Sequence, residues 1–268
     1  MIIELSEFFN NPSLIEFGGL KIQYYALTWV ISALLIFQYL KNHQIIKEFG
    51  LSIEQINDLI FLYGLFFGAM AGGRIGYMIF YGFDQLTINP LSLFFIWEGG
   101  LSFHGGLIGV IVSLYIFSKK HSLSFLRLSD SICLAMPIGL GLVRIGNFLN
   151  GELYGRPTEG NWGFIFPTDP YGFTRHPSQL YEAFFEGLVL FCCLVLINQR
   201  NNNAGVVSGS FLVGYGIIRF FIEFFRQPDA HMGFITLQLS MGQLLSIPMF
   251  IIGLIILRKS LKKHEAVS

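Results

Sequence analysis

The sequence predicts an all-α polytopic membrane protein with seven transmembrane helices, the N-terminus outside, the C-terminus cytoplasmic and a small cap on the outer face. Three observations predict it. The 268 residues are 53% hydrophobic and only 13% charged, with 29 Phe; soluble proteins carry roughly 25% charged residues and could not hide this much apolar surface. Seven apolar segments approach or exceed the length needed for a helical crossing, which is about 20 residues for ~30 Å of hydrocarbon. Basic residues alternate from loop to loop as retention of positive charge in the cytoplasm requires.

The segments run 20–40, 57–81, 91–118, 124–147, 178–197, 205–225 and 236–257. The third is longer than one crossing needs, so its first part is expected at the interface or as an irregular segment. One set of connections holds Lys41, Lys47, Lys119, Lys120, Arg127, Arg200, Arg258, Lys259, Lys262 and Lys263. The opposite set holds Lys21, Arg156, Arg175 and Arg226, while Arg74, Arg144 and Arg219 lie inside apolar segments. Ten against four puts the first set in the cytoplasm. The stretch 148–177 carries Pro157, Pro167, Pro170 and Pro177, interleaved with Tyr154, Trp162, Phe164, Phe166, Tyr171 and Phe173. Long ordered loops tend to be functional, and this one reads as an interfacial cap packed on the helices. With no internal repeat and no low-complexity tract, residues 1–268 read as a single integral membrane domain.

Several function classes fall away. Net charge is zero, so no global field points to nucleic acid. Cys133, Cys192 and Cys193 all fall within apolar runs, which argues against a disulfide framework or a thiolate metal site. Glu4 and Glu7 stand where a cleavable signal peptide would have a basic region. The histidines are scattered without zinc-ligand spacing, so no metal is expected. Neither a phosphate loop nor a Gly-x-Ser-x-Gly elbow occurs, and no cofactor is expected.

What remains is a short set of ionisable and strongly polar residues near the outer helix ends. Arg144 and Asn147 are three apart and share one face of the fourth helix. Tyr215, Arg219 and Glu223 recur at i, i+4 and i+8 on the sixth. Ionisable residues inside a membrane are costly and tend to mark function. Two guanidinium groups at similar depth, without an equal number of nearby carboxylates, form an anion site, and Arg matches phosphate bidentately. The structural readings compete: Arg219 and Glu223 as a mutually neutralising pair, and Arg74, in Ala71-Gly72-Gly73-Arg74-Ile75-Gly76, as a packing residue on a small-residue face. His104 lies in Glu98-Gly99-Gly100-Leu101-Ser102-Phe103-His104-Gly105-Gly106-Leu107, where glycines permit a break in the helix. It is a satisfied hydrogen-bonding residue or a base and ligand-binding group. An anionic phospholipid headgroup is the natural occupant of such a site. An enzyme and a phospholipid transporter or flippase without covalent chemistry both fit at this point.

Four stretches narrow the choice. They are Arg144-Ile145-Gly146-Asn147-Phe148-Leu149-Asn150-Gly151-Glu152-Leu153-Tyr154-Gly155-Arg156; Gly100-Leu101-Ser102-Phe103-His104-Gly105-Gly106-Leu107; Arg175-His176-Pro177-Ser178-Gln179-Leu180-Tyr181-Glu182; and Tyr215-Gly216-Ile217-Ile218-Arg219 through Glu223 to Asp229. In order and spacing they resemble the motifs of the prolipoprotein diacylglyceryl transferase family, along essentially the whole chain. The resemblance implies a bacterial inner-membrane enzyme working towards the periplasmic side, so that the outer cap is a periplasmic one. Its partners would be phosphatidylglycerol, a preprolipoprotein signal peptide with a lipobox cysteine, and membrane lipids. It would move the diacylglyceryl group to the cysteine thiol as a thioether and release glycerol phosphate. By motif, Arg144 and Arg219 would hold the phosphate, with His104, Asn147, Glu152, Gly155, Tyr215 and Glu223 around the site. Asn147 and Tyr215 would orient the headgroup, Glu152 and Glu223 would hold arginines, and His104 would assist thiol deprotonation. Tyr25 matches the family's tyrosine in the first helix, although the chain reads Tyr24-Tyr25-Ala26 where Trp-Tyr-Gly is common in the family.

Overall fold

Apolar runs broken by glycine, proline and charge decide where the helices begin and end. The computed structural model describes residues 2–6, 9, 13–17, 20–96, 99–228, 234–236 and 239–265. Trp97, Glu98 and Asp229, and residues 237–238 of the seventh apolar segment, lie outside the described residues. The long helices are α1 (Tyr24–Asn42), α2 (Ile53–Phe80), α3 (Phe103–Lys120), α4 (Phe125–Leu149), α5 (Ser178–Arg200), α6 (Val206–Ile222) and α7 (Met241–Glu265). By length and composition, α2, α4, α5 and the Met241–Lys262 part of α7 can cross a membrane, and α6 is a shorter apolar helix. The chain is thus a mostly helical, polytopic membrane protein. Its surface fits that solvent: Phe66, Ile108 and Ile251 are exposed, whereas Asp130, Glu182 and Glu186 are buried. Polar groups turn inward because lipid cannot solvate them.

The helices fold as two compact units, one of Met1–Ile36 with Ile132–Ser268 and the other of Phe37–Ser131. In the second unit, a Ser52–Gln55 capping box starts α2: the Ser52 hydroxyl accepts from the Gln55 amide (3.2 Å) and the Gln55 side chain accepts from the Ser52 amide (2.9 Å). Residues Asp58–Ala71 of that helix are π-wound. Gly72 meets α3 so closely that a Cβ there would lie 2.7 Å from the Gly105 carbonyl oxygen. That is the small-residue contact anticipated for this face. The first part of the 91–118 segment is irregular, with a 3-10 turn at Pro90–Phe94 and, among the described residues, no α-helix before Phe103. Arg74 explains how it is held. The buried guanidinium donates to the carbonyls of Ser92 (2.6 Å), Leu93 (3.3 Å), Gly99 and Gly100 (3.5 Å). Arg74 is therefore a structural staple, and Ser102, next along, accepts from the Gly105 amide to begin α3.

The first unit carries the cap. An all-α chain was expected; the structure adds short strands, whose pairing satisfies backbone groups that no helix takes up. Strand β1 (Ile2–Glu4) runs parallel to β4 (Gly163–Ile165), which pairs antiparallel with β5 (Thr174–Arg175). Strand β2 (Ser13–Phe17) pairs antiparallel with β3 (Leu20–Gln23), and β6 (Phe234–Thr236) with β7 (Leu239–Ser240). Phe148, at the end of α4, packs edge-on against Phe164 and Phe166 at 5.4 and 5.8 Å, and Tyr154 stacks on Phe166 at 5.2 Å. Trp162 joins this cluster edge-on against Phe164 at 5.5 Å, whereas Tyr171 and Phe173 stack on each other at the surface.

Arg175 locks the cap. It donates to Asp169 through Nε (2.6 Å) and Nη2 (3.0 Å), and its guanidinium lies over the Tyr154 ring at 4.7 Å. Burial by itself would raise the Asp169 pKa, but the bonds from Arg175 and from the Tyr171 and Phe173 amides outweigh it and hold the carboxyl below its usual range. A depressed carboxyl stabilises the fold fully above its unfolded value of about 4 and loses that contribution as pH falls through the lower folded value. Hydrogen exchange in residues 155–175 is therefore expected to accelerate on acidification in the wild type, with the acid-dependent part removed by Asp169→Asn. An unchanged acid response in the variant would show that the pair does not set cap stability.

Candidate active site

Three helices of the first unit supply the site. Gly141 of α4 and Gly187 of α5 bring their backbones together: a Cβ on Gly187 would lie 2.8 Å from the Gly141 Cα. This approach sets one α5 face, bearing Glu182 and Glu186 one turn apart, beside Arg144 on α4. Helix α6 presents Arg219 to the same carboxylates, and the chain just beyond it contributes Glu223 and Arg226.

The Arg144 Nε contacts Glu182 Oε2 directly and lies 3.9 Å from Glu186 Oε2. Arg219 Nη1 lies 3.3 Å from the same Glu182 oxygen and 3.5 Å from Glu186 Oε1, while its Nη2 sits 2.5 Å from Glu223 Oε1. Arg226 approaches Glu182 Oε1 at 3.7 Å and Glu223 Oε1 at 3.4 Å. The Ser240 hydroxyl donates to Glu223 Oε2 at 2.7 Å. Three arginines thus face three carboxylates that are at most 1% exposed. Two guanidinium groups without matching carboxylates were expected; the structure overturns that count. The reason is the cost of burying an unpaired cation, which close carboxylates offset. Pairing is nevertheless incomplete in geometry: no oxygen of Glu182 or Glu186 and not Arg219 Nη1 has an aligned hydrogen-bond partner. The contacts are ionic and leave donor directions unused.

Arg144 also donates through Nη1 to Asn147 Oδ1 (3.3 Å), and Asn147 Nδ2 donates to Glu152 Oε1 (2.9 Å). Glu152 was expected to hold an arginine in place; it reaches Arg144 through Asn147. Its own backbone carbonyl accepts from Gln179 Nε2 at 2.7 Å, which fixes the start of α5 to the end of α4. Glu223 does hold Arg219, as the i, i+4 spacing suggested. Tyr215 stacks on Phe211 at 5.8 Å and lies within electrostatic reach of Glu186, Arg219 and Arg144. Tyr25 stands at the start of α1 beside Thr28, and both line the space over Gly146, two residues from Arg144. The Tyr25 ring meets Trp29 edge-on at 6.2 Å.

Gly155 sits where the cap crosses the end of α6. Its amide donates to the His176 carbonyl (2.8 Å), and the neighbouring Arg156 amide donates to the Phe225 carbonyl (2.8 Å). The Arg156 guanidinium caps the same chain end through the carbonyls of Glu223 (3.1 Å) and Arg226 (2.9 Å). His176 Nδ1 pairs with the Tyr181 hydroxyl at 3.2 Å, and burial holds this imidazole below its usual pKa. His104 belongs to the second unit, in the first turn of α3, with an exposed side chain.

Arg144, Asn147, Glu152, Tyr215, Arg219 and Glu223 are thus assembled in one unit. Sequence reading missed Glu186. Its signal was present, since Glu182-Ala183-Phe184-Phe185-Glu186 puts two carboxylates at i, i+4 inside an apolar run.

Residues 12–258 match the family described as prolipoprotein diacylglyceryl transferase. The chain is 46% identical over 246 residues to the phosphatidylglycerol–prolipoprotein diacylglyceryl transferase of Idiomarina loihiensis, covering 92% of this chain and 91% of that one. It is 45% identical over 248 residues to the protein of that name from Photobacterium profundum, with 92% of each covered. Against the Geobacter sulfurreducens protein it is 44% identical over 244 residues, with 91% and 93% covered.

Proposed function

Because the chain belongs to the prolipoprotein diacylglyceryl transferase family, we propose that it transfers the diacylglyceryl group of phosphatidylglycerol to the lipobox cysteine of a preprolipoprotein. The observation that supports this reading best is the convergence of Arg144 and Arg219, from different helices, on one carboxylate, Glu182. That shared carboxylate gathers two guanidinium groups from different helices at one place in the fold.

The chemistry follows from those groups. A thiol of pKa about 8.5 is mostly protonated at neutral pH, and His104 takes its proton. The thiolate sulfur attacks the glycerol carbon bearing the phosphate ester; the S–C bond forms as the C–O bond breaks, and the electron pair leaves on the phosphate oxygen. Arg144 and Arg219 stabilise that charge in a site largely closed to water. Asn147, polarised by Glu152, and Tyr215 orient the headgroup, with Tyr25 beside the α4 end. The helices cross the bacterial inner membrane seven times, N-terminus out and C-terminus in, which puts the cap and the arginines towards the periplasm.

The purified protein, given phosphatidylglycerol vesicles and a lipobox peptide, is expected to yield thioether-linked peptide and free glycerol phosphate. Lipid redistribution without covalent change would make it a flippase. His104→Gln is expected to lower turnover by about 10²–10⁴-fold, the usual contribution of a positioned base. Near wild-type turnover in that variant would remove the base and leave the arginine clamp standing.

A further inference from the structure

Resting on the phosphate reading above, we propose that Glu186 is a positioning residue that weakens the grip of Arg144 and Arg219 on the phosphomonoester product more than on the phosphodiester substrate. It acts as an internal anion that lets glycerol phosphate leave.

Three observations carry this. Glu186 is fully buried on α5, at 0% exposure. Its side chain stands 3.5 Å from Arg219 and 3.9 Å from Arg144, the two guanidinium groups assigned to the phosphate. It stands farther from both arginines than Glu182, which contacts Arg144 directly and lies 3.3 Å from Arg219. The geometric hold on the arginines comes from others: Glu182 in direct contact with Arg144, and Glu223 at 2.5 Å from Arg219. Glu186 therefore adds charge at the clamp from a longer range than the closest contacts that Glu182 and Glu223 make.

Charge at that place discriminates between the two ligands. The diester of phosphatidylglycerol carries one negative charge. The monoester released from it carries up to two, since a phosphate monoester has its second pKa near 6. Repulsion by a fixed carboxylate scales with ligand charge, so it costs the dianion twice what it costs the monoanion, and more in a buried site than in water. An arginine pair without that carboxylate would hold product more tightly than substrate, and slow product release limits many enzymes.

The test measures initial rates of the purified protein with phosphatidylglycerol–phosphatidylcholine vesicles, a lipobox peptide and added glycerol phosphate. Glu186→Gln keeps the shape and removes the charge. It is expected to lower the inhibition constant of glycerol phosphate on the order of tenfold, with a smaller fall in KM for phosphatidylglycerol and a reduced kcat. Glu186→Asp retains the charge and is expected to keep product inhibition near that of the wild type. A merely structural role would lower kcat without tightening product inhibition, so unchanged or weaker inhibition in Glu186→Gln overturns the proposal. If that variant fails to fold, the wild type still decides: deacylated phosphatidylglycerol, a diester, is expected to inhibit at least as well as glycerol phosphate. A monoester that binds more than about tenfold better overturns it. Arg144→Lys and Arg219→Lys separate the two levels. Weakened inhibition in both, with none of the tightening in Glu186→Gln, removes this inference alone; unchanged inhibition in both removes the clamp and the inference together.

Discussion

Arg219→Ala is expected to abolish transfer and to destabilise the protein by about 3–5 kcal/mol, the usual cost of removing one partner from a buried ion cluster. Arg219 is the residue through which α6 meets the carboxylates of α5: it lies 3.3 Å from Glu182, 3.5 Å from Glu186 and 2.5 Å from Glu223. Its removal leaves three buried carboxylates to share Arg144 and Arg226. Thermal unfolding in detergent gives the stability change, and single-turnover transfer gives the rate. The effect is expected to be non-additive: Glu223→Gln should cost clearly less in the Arg219→Ala background than in the wild type, because the two share one interaction. Arg219→Lys separates folding from catalysis. A lysine restores the charge but has no planar fork to span two carboxylates and a phosphate, so stability should largely return while kcat/KM stays about 10²–10³-fold down. Additive losses in the double variant, or full activity with lysine, would rule out the shared cluster as the source of both effects.

Gly155→Ala is expected to be the second most damaging single change, although it adds one methyl group and no charge. A Cβ at this position would lie 2.5 Å from the His176 carbonyl oxygen, 2.6 Å from the Phe225 carbonyl oxygen and 2.7 Å from the His176 Cβ. The two oxygens are the acceptors of the Gly155 and Arg156 amides, so neither can retreat without breaking a hydrogen bond. Overpacking of this kind costs about 1–3 kcal/mol, and it falls where Arg156 caps the chain that carries Glu223 and Arg226. Activity should fall by two orders of magnitude or more, in line with the sensitivity of preorganised sites to ~1 Å displacements. Cap hydrogen exchange should rise together with that loss. A variant with unchanged exchange and reduced activity would instead place Gly155 against the substrate itself.

Both predictions turn on contacts that the primary sequence displays only in part. The helices were legible because lipid solvation imposes one requirement on each: a run of apolar residues long enough to satisfy its own backbone. Arg144, Asn147, Arg219 and Glu223 were legible for the complementary reason, since an ionisable or strongly polar group inside such a run is costly without a purpose. The i, i+4 spacing of Arg219 and Glu223 announced their pairing, and the Gly72-Gly73-Arg74 segment announced a close helix contact. The short strands were hidden, because β1 pairs with β4 across some 160 residues of chain and nothing local in three residues marks a partner so distant.

The sequence by itself thus determined that this is a helical membrane protein, which helices carry its charged groups and, through its motifs, to which family it belongs. All of this depends on local composition, helical periodicity and residue order, which need no knowledge of what packs against what. Only the tertiary structure decided the electrostatic character of the site. Two arginines 75 positions apart meet on Glu182 because Gly141 and Gly187 let α4 and α5 touch, and that meeting brings Glu186 and Glu223 with it. An exposed pair of cations thereby becomes a near-balanced buried cluster. Charge balance is a property of distances in three dimensions, and spacing along one helix specifies only the members of that helix.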